Sequence, residues 1–372
     1  MKNFGLGCMR FPIINGNYKD IDKEQVTKMV DLFLENGFTY FDTAYPYHEG
    51  NSERILKEVL TSRYSRDKYV LTSKLPMFSI KKEEEIDKIF NEQLEKLGVD
   101  YLDYYLVHAL NYDRYELSKK INVFDHLKKF KDEGKIKHIG ISFHDSSKVL
   151  DYILNEKSDI IEVVQLQINY LDRESQAIES RLCYEVCQKY NKKVIVMEPL
   201  KGGTLVNIPE SAKKIFNKLN NSLPIASYGI RFAASLDNVF MVLSGMSNLD
   251  QLKENISYMK DFKKINESEL EAINKVSKII KSKILIPCTD CKYCVKGCPK
   301  HIPIPKYFSM CNEDYSLNSD LSFYYDVITK KENIKASECI KCGLCEKACP
   351  QHLKIRDLLE NEVVKRYEKK DQ

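Results

Sequence analysis

Eight of the twelve cysteines stand between residues 288 and 349, in two copies of one spacing: Cys288-x2-Cys291-x2-Cys294-x3-Cys298-Pro299 and Cys339-x2-Cys342-x2-Cys345-x3-Cys349-Pro350. Three thiolates at intervals of two residues can wrap one iron-sulfur cubane, and the fourth, projected elsewhere at its proline, serves the other cluster. The spacing therefore predicts two [4Fe-4S] clusters, one on Cys288, Cys291, Cys294 and Cys349, the second on Cys339, Cys342, Cys345 and Cys298. A structural zinc site pairs two Cys-x2-Cys knuckles and has no use for the third cysteine or the proline. A disulfide scaffold belongs to short secreted chains, so in a reducing compartment this crowding points to metal. Cys311 has no place in either motif, and Cys183 and Cys187, at i and i+4, read as core thiols.

A second set of residues is more dispersed. Asp42, Lys74 and His108 each close a run of strand-forming residues, and Tyr47 follows Asp42 by five positions. A tyrosine can act as general acid to a carbonyl oxygen if its pKa is brought down from about 10. A nearby ammonium does this, and a carboxylate holds the ammonium in place. A histidine beside the tyrosine can orient and polarise the substrate oxygen. Singly these residues are ordinary: Tyr47 is one of 23 tyrosines, and Asp42 with Lys74 could be a plain ion pair. The four together on consecutive strand ends carry a chemistry that none carries alone.

The elements that must position them recur regularly. Runs rich in Val, Ile, Tyr and Phe occur at 4–8, 38–42, 69–73, 104–108, 138–142, 162–166, 194–198 and 240–244. Between them lie segments of helical periodicity, among them 23–36, 84–97, 123–133, 179–190 and 247–256. Asn36-Gly37, Leu97-Gly98 and Glu133-Gly134 punctuate three of their ends. Eight strand-helix units in about 250 residues match a closed (β/α)8 barrel. The rival, a doubly wound open sheet, announces itself by Gly-x-Gly-x-x-Gly after its first strand, and Gly5-Leu6-Gly7-Cys8-Met9-Arg10 breaks off at arginine.

The chain has 372 residues, 43% hydrophobic and 30% charged, enough to bury a core over most of its length. Lysine and arginine number 58 against 54 acids, with the signs interspersed, which argues against a dedicated nucleic-acid or membrane surface. Neither a basic leader nor an apolar stretch of spanning length is visible, so a cytoplasmic protein is expected. The expected division is a barrel over residues 1–280 and a metal-binding domain over 281–372.

Phe41-Asp42-Thr43-Ala44-Tyr45-Pro46-Tyr47, Leu71-Thr72-Ser73-Lys74 and Leu106-Val107-His108 resemble, in order and approximate spacing, the Asp, Tyr, Lys, His tetrad of the aldo-keto reductase family. Gly140-Ile141-Ser142, Val164-Gln165, Glu198-Pro199-Leu200-Lys201-Gly202-Gly203 and the stretch from Ser244 to Asn255 extend the likeness over about residues 4 to 260. It implies an NADP(H)- or NAD(H)-dependent oxidoreductase acting on a small carbonyl or alcohol, with Tyr47 as acid and Lys74, Asp42 and His108 around it. It further implies Ser142 and Gln165 at the nicotinamide amide, Leu200, Lys201 and Gly202 along the pyrophosphate, and Ser247, Gln251, Glu254 and Asn255 at the adenosine end. The sequence departs from the family in several places. Met197 stands where an aromatic commonly stacks on the nicotinamide, and Met246 and Gln251 are uncharged where cations often hold the 2′-phosphate of NADP. No hairpin-forming sequence precedes Phe4, so something else should close the barrel bottom. His48, where the family usually has glycine, and His144 are rim candidates; His126 and His138 read as structural. About forty residues separate the two cysteine motifs, and Ile304 to Lys330 reads mostly as helix, which resembles the α-helical two-cluster ferredoxin module of respiratory iron-sulfur subunits.

The expected whole is thus an α/β chain, a (β/α)8 TIM barrel followed by a small, mainly α-helical two-cluster ferredoxin-like domain. Its function would couple NAD(P)H-linked carbonyl or alcohol chemistry to one-electron transfer. A nicotinamide gives up a hydride while each cubane accepts one electron, a mismatch that FMN in the barrel, or a flavoprotein partner, would resolve. A ferredoxin or flavodoxin would serve as the one-electron carrier. The other class of function is an electron-transfer protein whose barrel is a scaffold for a flavin or a partner and whose tetrad is inherited.

Overall fold

The computed structural model describes residues 2–175, 178–317 and 322–368. Eight parallel strands close a barrel in sequence order: β1 (Phe4–Gly7), β2 (Tyr40–Asp42), β3 (Val70–Leu75), β4 (Leu102–Leu110), β5 (Ile136–Phe143), β6 (Val163–Gln167), β7 (Lys193–Met197) and β8 (Val239–Ser244). Such strands are covered on both faces, which is why they read as continuous apolar runs rather than as alternations. Tyr40, Leu106, Val163, Ile195, Met241 and Leu243 form a cluster of their own, set by several strands. Gly140 is required by that packing, because a Cβ there would stand 2.4 Å from Val163 Cγ2 and 2.6 Å from Leu106 Cδ2. Outside the strands, helices such as Lys23–Glu35, Glu84–Leu97 and Val123–Asp132 bury one face each. Gly37, Gly98 and Gly134, just past their ends, all adopt positive φ, as the punctuation implied.

Two of the strands differ from their sequence outlines in ways that bear on the site. β3 continues through Lys74 to Leu75, so Lys74 lies within the strand and not beyond it. β4 extends in both directions, and its register with β5 shifts between Val107 and Leu110, where Ala109 takes φ 52°. A bulge of this kind bends the strand and re-aims its side chains; here it falls beside His108.

The N-terminal end of the barrel is closed by aromatics. Tyr104 stacks on His138 (4.8 Å between centroids) and approaches Tyr40 (5.6 Å) and Phe240 (5.7 Å). These four residues come from the starts of β2, β4, β5 and β8, and each ring pair contributes about 0.5–1.5 kcal/mol beyond its buried area. Near this end Asp103 ties the sheet together: Oδ2 accepts from Arg66 Nη2 (2.6 Å) and Leu71 N (2.8 Å), and Oδ1 from Lys137 Nζ (2.9 Å). Asp103→Ala would strand a buried backbone N–H and a half-buried guanidinium. A loss of roughly 3 kcal/mol is expected. Denaturant unfolding would measure it, and a loss below about 1 kcal/mol would place the anchor elsewhere.

By its internal contacts the chain divides into Met1–Leu200 with Ser222–Glu267, and Lys201–Asn221 with Ser268–Gln372. The second unit is mainly helical. Helices Ile304–Leu317 and Ser322–Glu332 occupy the segment between the cysteine motifs, residues 318–321 of that expected helical stretch lying outside the described residues. Its core gathers Ile286, Ile304, Phe308, Tyr325 and Val363. Cys311 is buried there, as Cys183 and Cys187 are in the first unit, and burial pushes the Cys311 thiol up to about 11. Among the described residues no helix is long and apolar enough to cross a membrane.

Candidate active site and candidate metal centres

At the C-terminal ends of β2 to β6 the first unit brings five polar side chains together. Lys74 Nζ lies 2.6 Å from Asp42 Oδ1, 2.7 Å from the Thr43 carbonyl oxygen and 3.3 Å from the Tyr47 hydroxyl. Gln165 donates to the other carboxylate oxygen, Asp42 Oδ2, at 3.1 Å. His108 packs edge-on to Tyr47 (6.0 Å, 80°) and against Phe78 (5.5 Å), and its buried Nδ1 makes no hydrogen bond. Lys74 is fully buried, an ammonium tolerable only because its donors are met.

The strand that carries Lys74 is anchored from behind. Gln93 Nε2 donates to the Lys74 carbonyl (3.2 Å), to Glu53 Oε1 (2.6 Å) and to Ser73 Oγ (2.8 Å), while Tyr105 donates to Gln93 Oε1 (2.6 Å). Neither Gln93 nor Phe78 was legible as part of the site. The first lies inside an amphipathic helix, the second in a loop with no periodicity.

Burial pushes the Tyr47 hydroxyl well above its ordinary value, and the Asp42 carboxylate adds to the rise. This reverses the expectation that Lys74 would bring it down. The physical reason is that burial penalises the phenolate, while the ammonium is committed more closely to Asp42 and Thr43 than to the phenol. Burial, then the charges of Lys74, His144 and Arg114, hold His108 well below the usual imidazole range. Burial also pushes the Asp42 carboxyl up, against the pull of Lys74. At neutral pH the site therefore presents a protonated phenol beside a neutral imidazole.

The residues assigned by resemblance to a nucleotide fall as follows. Ser142 and Gln165 are register partners on β5 and β6, both buried. Met197 ends β7, and Leu200 packs against Gly229. Ser247 N donates to Gln251 Oε1 (2.8 Å) at the start of helix Leu249–Met259, two residues later than expected. Glu254 is exposed on that helix. Asn255 donates to Ser244 Oγ (3.0 Å) and accepts from Tyr258, so its amide is engaged internally. Lys201 and Gly202 belong to the second unit, where Lys201 Nζ donates to Gln351 Oε1 at 2.9 Å. Arg10, which the sequence did not mark as a site residue, lies against Gly245, 3.2 Å from where a Cβ would stand. His48 is buried and not at a solvent-facing rim: it stacks on Tyr18 (4.4 Å) and its Nδ1 meets the Tyr18 carbonyl at 2.9 Å. His126 is hydrogen-bonded to Glu83 and Asp87, and His138 to Glu162.

In the second unit Cys288, Cys291, Cys294 and Cys349 line one small space, and Cys298, Cys339, Cys342 and Cys345 line another. None of the eight is in a disulfide, and Ile304 borders both spaces. Burial pushes the Cys294 thiol up, and the Cys345 thiol up to about 11. Four soft donors around an apolar space fit iron-sulfur ligation. Among the described residues no three His, Cys, Asp or Glu side chains converge as ligands of a single ion.

A closed parallel barrel with polar groups at its C-terminal mouth, joined to a helical unit with two quartets of cysteines, defines an oxidoreductase with an iron-sulfur module. The chain belongs to the aldo/keto reductase family, which it matches over residues 3–278, and residues 287–355 match the 4Fe-4S dicluster domain. It is 25% identical over 323 residues to the NADH-specific methylglyoxal reductase of Escherichia coli (strain K12), covering 73% of this chain and 93% of that protein. It is 23% identical over 304 residues to the uncharacterized oxidoreductase YqkF of Bacillus subtilis (strain 168), covering 74% and 92%. Among solved structures, an aldo/keto reductase from Klebsiella pneumoniae in complex with NADP and acetate superposes with a TM-score of 0.61 at 20% identity, covering 74% of this chain and 91% of that one.

Proposed function

We propose that the barrel reduces a small carbonyl, or oxidises the corresponding alcohol, with NAD(P)H, and that two [4Fe-4S] clusters link this chemistry to a one-electron carrier. The observation that carries the first half is Lys74 Nζ reaching both Asp42 (2.6 Å) and the Tyr47 hydroxyl (3.3 Å) in a buried mouth beside His108. When bound, the nicotinamide supplies a hydride and the clusters supply or accept single electrons. The chain's own part begins with His108, which orients the substrate oxygen towards Tyr47. The phenol then gives its proton to that oxygen as negative charge develops there. Lys74 steadies the phenolate left behind, and Asp42, held by Gln165, keeps the ammonium in place. Phe78, 44% exposed, forms an apolar wall beside His108. Ser142 and Gln165 would hold the nicotinamide amide. The two relatives named for a nucleotide differ, one for NADH and one bound to NADP, and Met246 and Gln251, being uncharged, offer no cation to the 2′-phosphate of NADP. A flavin in the barrel gains no support from these relatives.

Because His108 is neutral and Tyr47 protonated over the ordinary range, kcat/KM for carbonyl reduction is expected to stay flat from about pH 6 to about pH 9. A series of aldehydes and dicarbonyls assayed with NADH and NADPH would test this. A fall centred near the ordinary histidine pKa of about 6.5 would contradict the neutral imidazole, and no turnover with any carbonyl would contradict the reaction.

The support for an outlet to a partner lies at the second cysteine set. Cys342 is exposed there, flanked by Ile340 (57% exposed) and Leu344 (45%), with Lys300, Lys341 and Lys347 at the surface. An apolar centre with a basic rim suits a small acidic electron carrier.

A further inference from the structure

We infer that Glu53 is a positioning residue that sets the Tyr47 hydroxyl against the Lys74 ammonium; this rests on the carbonyl chemistry proposed above. Tyr47 and Lys74 come from different elements, and the proton transfer assigned to them needs their atoms within hydrogen-bond reach. Lys74 is held by β3, whereas Tyr47 stands at the head of a short turn, Tyr47–Gly50, in which His48, Glu49 and Gly50 take φ of 51°, 55° and 93°. The first two carry side chains in the left-handed region, a conformation that persists only where the surroundings impose it. Tyr18 and Lys19 hold the turn itself, through His48 and Glu49. What ties it to Lys74 is the helix Asn51–Leu56 that continues from it.

Successive residues of that helix reach the two attachments of Lys74. Ser52 Oγ lies 2.9 Å from Thr43 Oγ1, and the Thr43 carbonyl accepts from Lys74 Nζ. Glu53 Oε1 accepts from Ser73 Oγ at 2.7 Å and from Gln93 Nε2 at 2.6 Å, and Gln93 also donates to the Lys74 carbonyl at 3.2 Å. One carboxyl oxygen thus takes donors from β3 and from helix Glu84–Leu97 and fixes both to the helix that leads from Tyr47.

This is a poor device for stability alone. Glu53 is fully buried, and its Oε2 makes no hydrogen bond. Lys96 and Glu92, whose charges bear on it, pair with each other at 2.5 Å. Burial pushes the Glu53 carboxyl up. A buried carboxyl oxygen without a partner is a cost that an apolar side chain would avoid. Such departures are expected where a geometry must be kept for function.

The test is a double-mutant cycle on the full chain, with the best carbonyl of the aldehyde and dicarbonyl series and with turnover expressed per titrated nucleotide site. Glu53→Leu should lower kcat by about tenfold or more, since a small displacement of a catalytic group is enough. The carbonyl KM and nucleotide affinity should change by less than about twofold. Glu53→Gln, which keeps an oxygen for both donors, should recover most of the loss. In the Tyr47→Phe background no phenol remains to be placed, so Glu53→Leu should lower the residual turnover by less than about twofold. A role in stability alone would lower both backgrounds alike, and that result overturns the proposal. Should Glu53→Leu fail to fold, Ser73→Ala removes one of the two donors and should show the same pattern at about threefold. If Tyr47→Phe loses turnover while kcat in Glu53→Leu is unchanged, the tetrad stands and the proposal alone fails. If Tyr47→Phe keeps its turnover, the reading of the tetrad fails and the proposal with it.

Discussion

Replacing Tyr47 by phenylalanine is expected to lower carbonyl reduction by roughly 10²–10⁴-fold, the usual worth of a positioned general acid, while leaving both clusters and the fold unchanged. The substitution removes one oxygen from a buried ring whose edge contact to His108 and place over Lys74 Nζ (4.9 Å to the ring centroid) are kept. Lys74 retains Asp42 and Thr43, so no charge is stranded. The loss should appear in kcat, because the proton is transferred only as the transition state forms, and nucleotide affinity should change little. Lys74→Met should be nearly as damaging for a different reason, since it leaves the Asp42 carboxylate buried without its ion pair. Retained turnover in Tyr47→Phe would remove the phenol from the reaction and favour a barrel that acts as a binding scaffold with an inherited tetrad.

Cys349→Ser is expected to cost the centre of the first motif, although Cys349 belongs to the second. Cys349 lines one space with Cys288, Cys291 and Cys294, whereas Cys298 lines the other with Cys339, Cys342 and Cys345. Iron should fall from about eight to about four per chain. Alkylation followed by mass mapping should find Cys288, Cys291 and Cys294 newly reactive and the other quartet protected. Reactivity at Cys339, Cys342 and Cys345 instead would mean that each motif ligates its own cluster. Ile304 borders both spaces and belongs to the core of this unit, so some loss of thermal stability should accompany the loss of iron.

The sequence made the barrel legible because parallel strands buried on both faces cannot hide: residues 194–197 and 239–243 are runs of Val, Ile, Leu, Met and Phe without a polar residue. Asp42, Lys74 and His108 were legible for a related reason, being polar residues in or at the end of such runs. What the strand pattern could not show is set by contacts distant in sequence. The bulge at Ala109 is imposed by the register of β4 against β5 and has no glycine to announce it. Gln93 reads as one polar position of a helix, yet it is fully buried and braces Lys74. Lys201 sits in a glycine-rich stretch that resembles a nucleotide loop, but its ammonium meets Gln351, 150 residues away. The direction of the Tyr47 shift depends on burial, which residue identity does not carry.

Coupling between hydride chemistry and the clusters is the central claim, and an anaerobic titration of the iron-loaded chain with NADPH and then NADH tests it most directly. The visible absorption of the clusters and any flavin would be followed together with binding of the nucleotide. Bleaching by either nucleotide, to about two electrons per chain, is the predicted result. Nucleotide bound and carbonyl turned over while the clusters remain oxidised, with FMN present as well as without it, would contradict the claim and leave two separate chemistries on one chain.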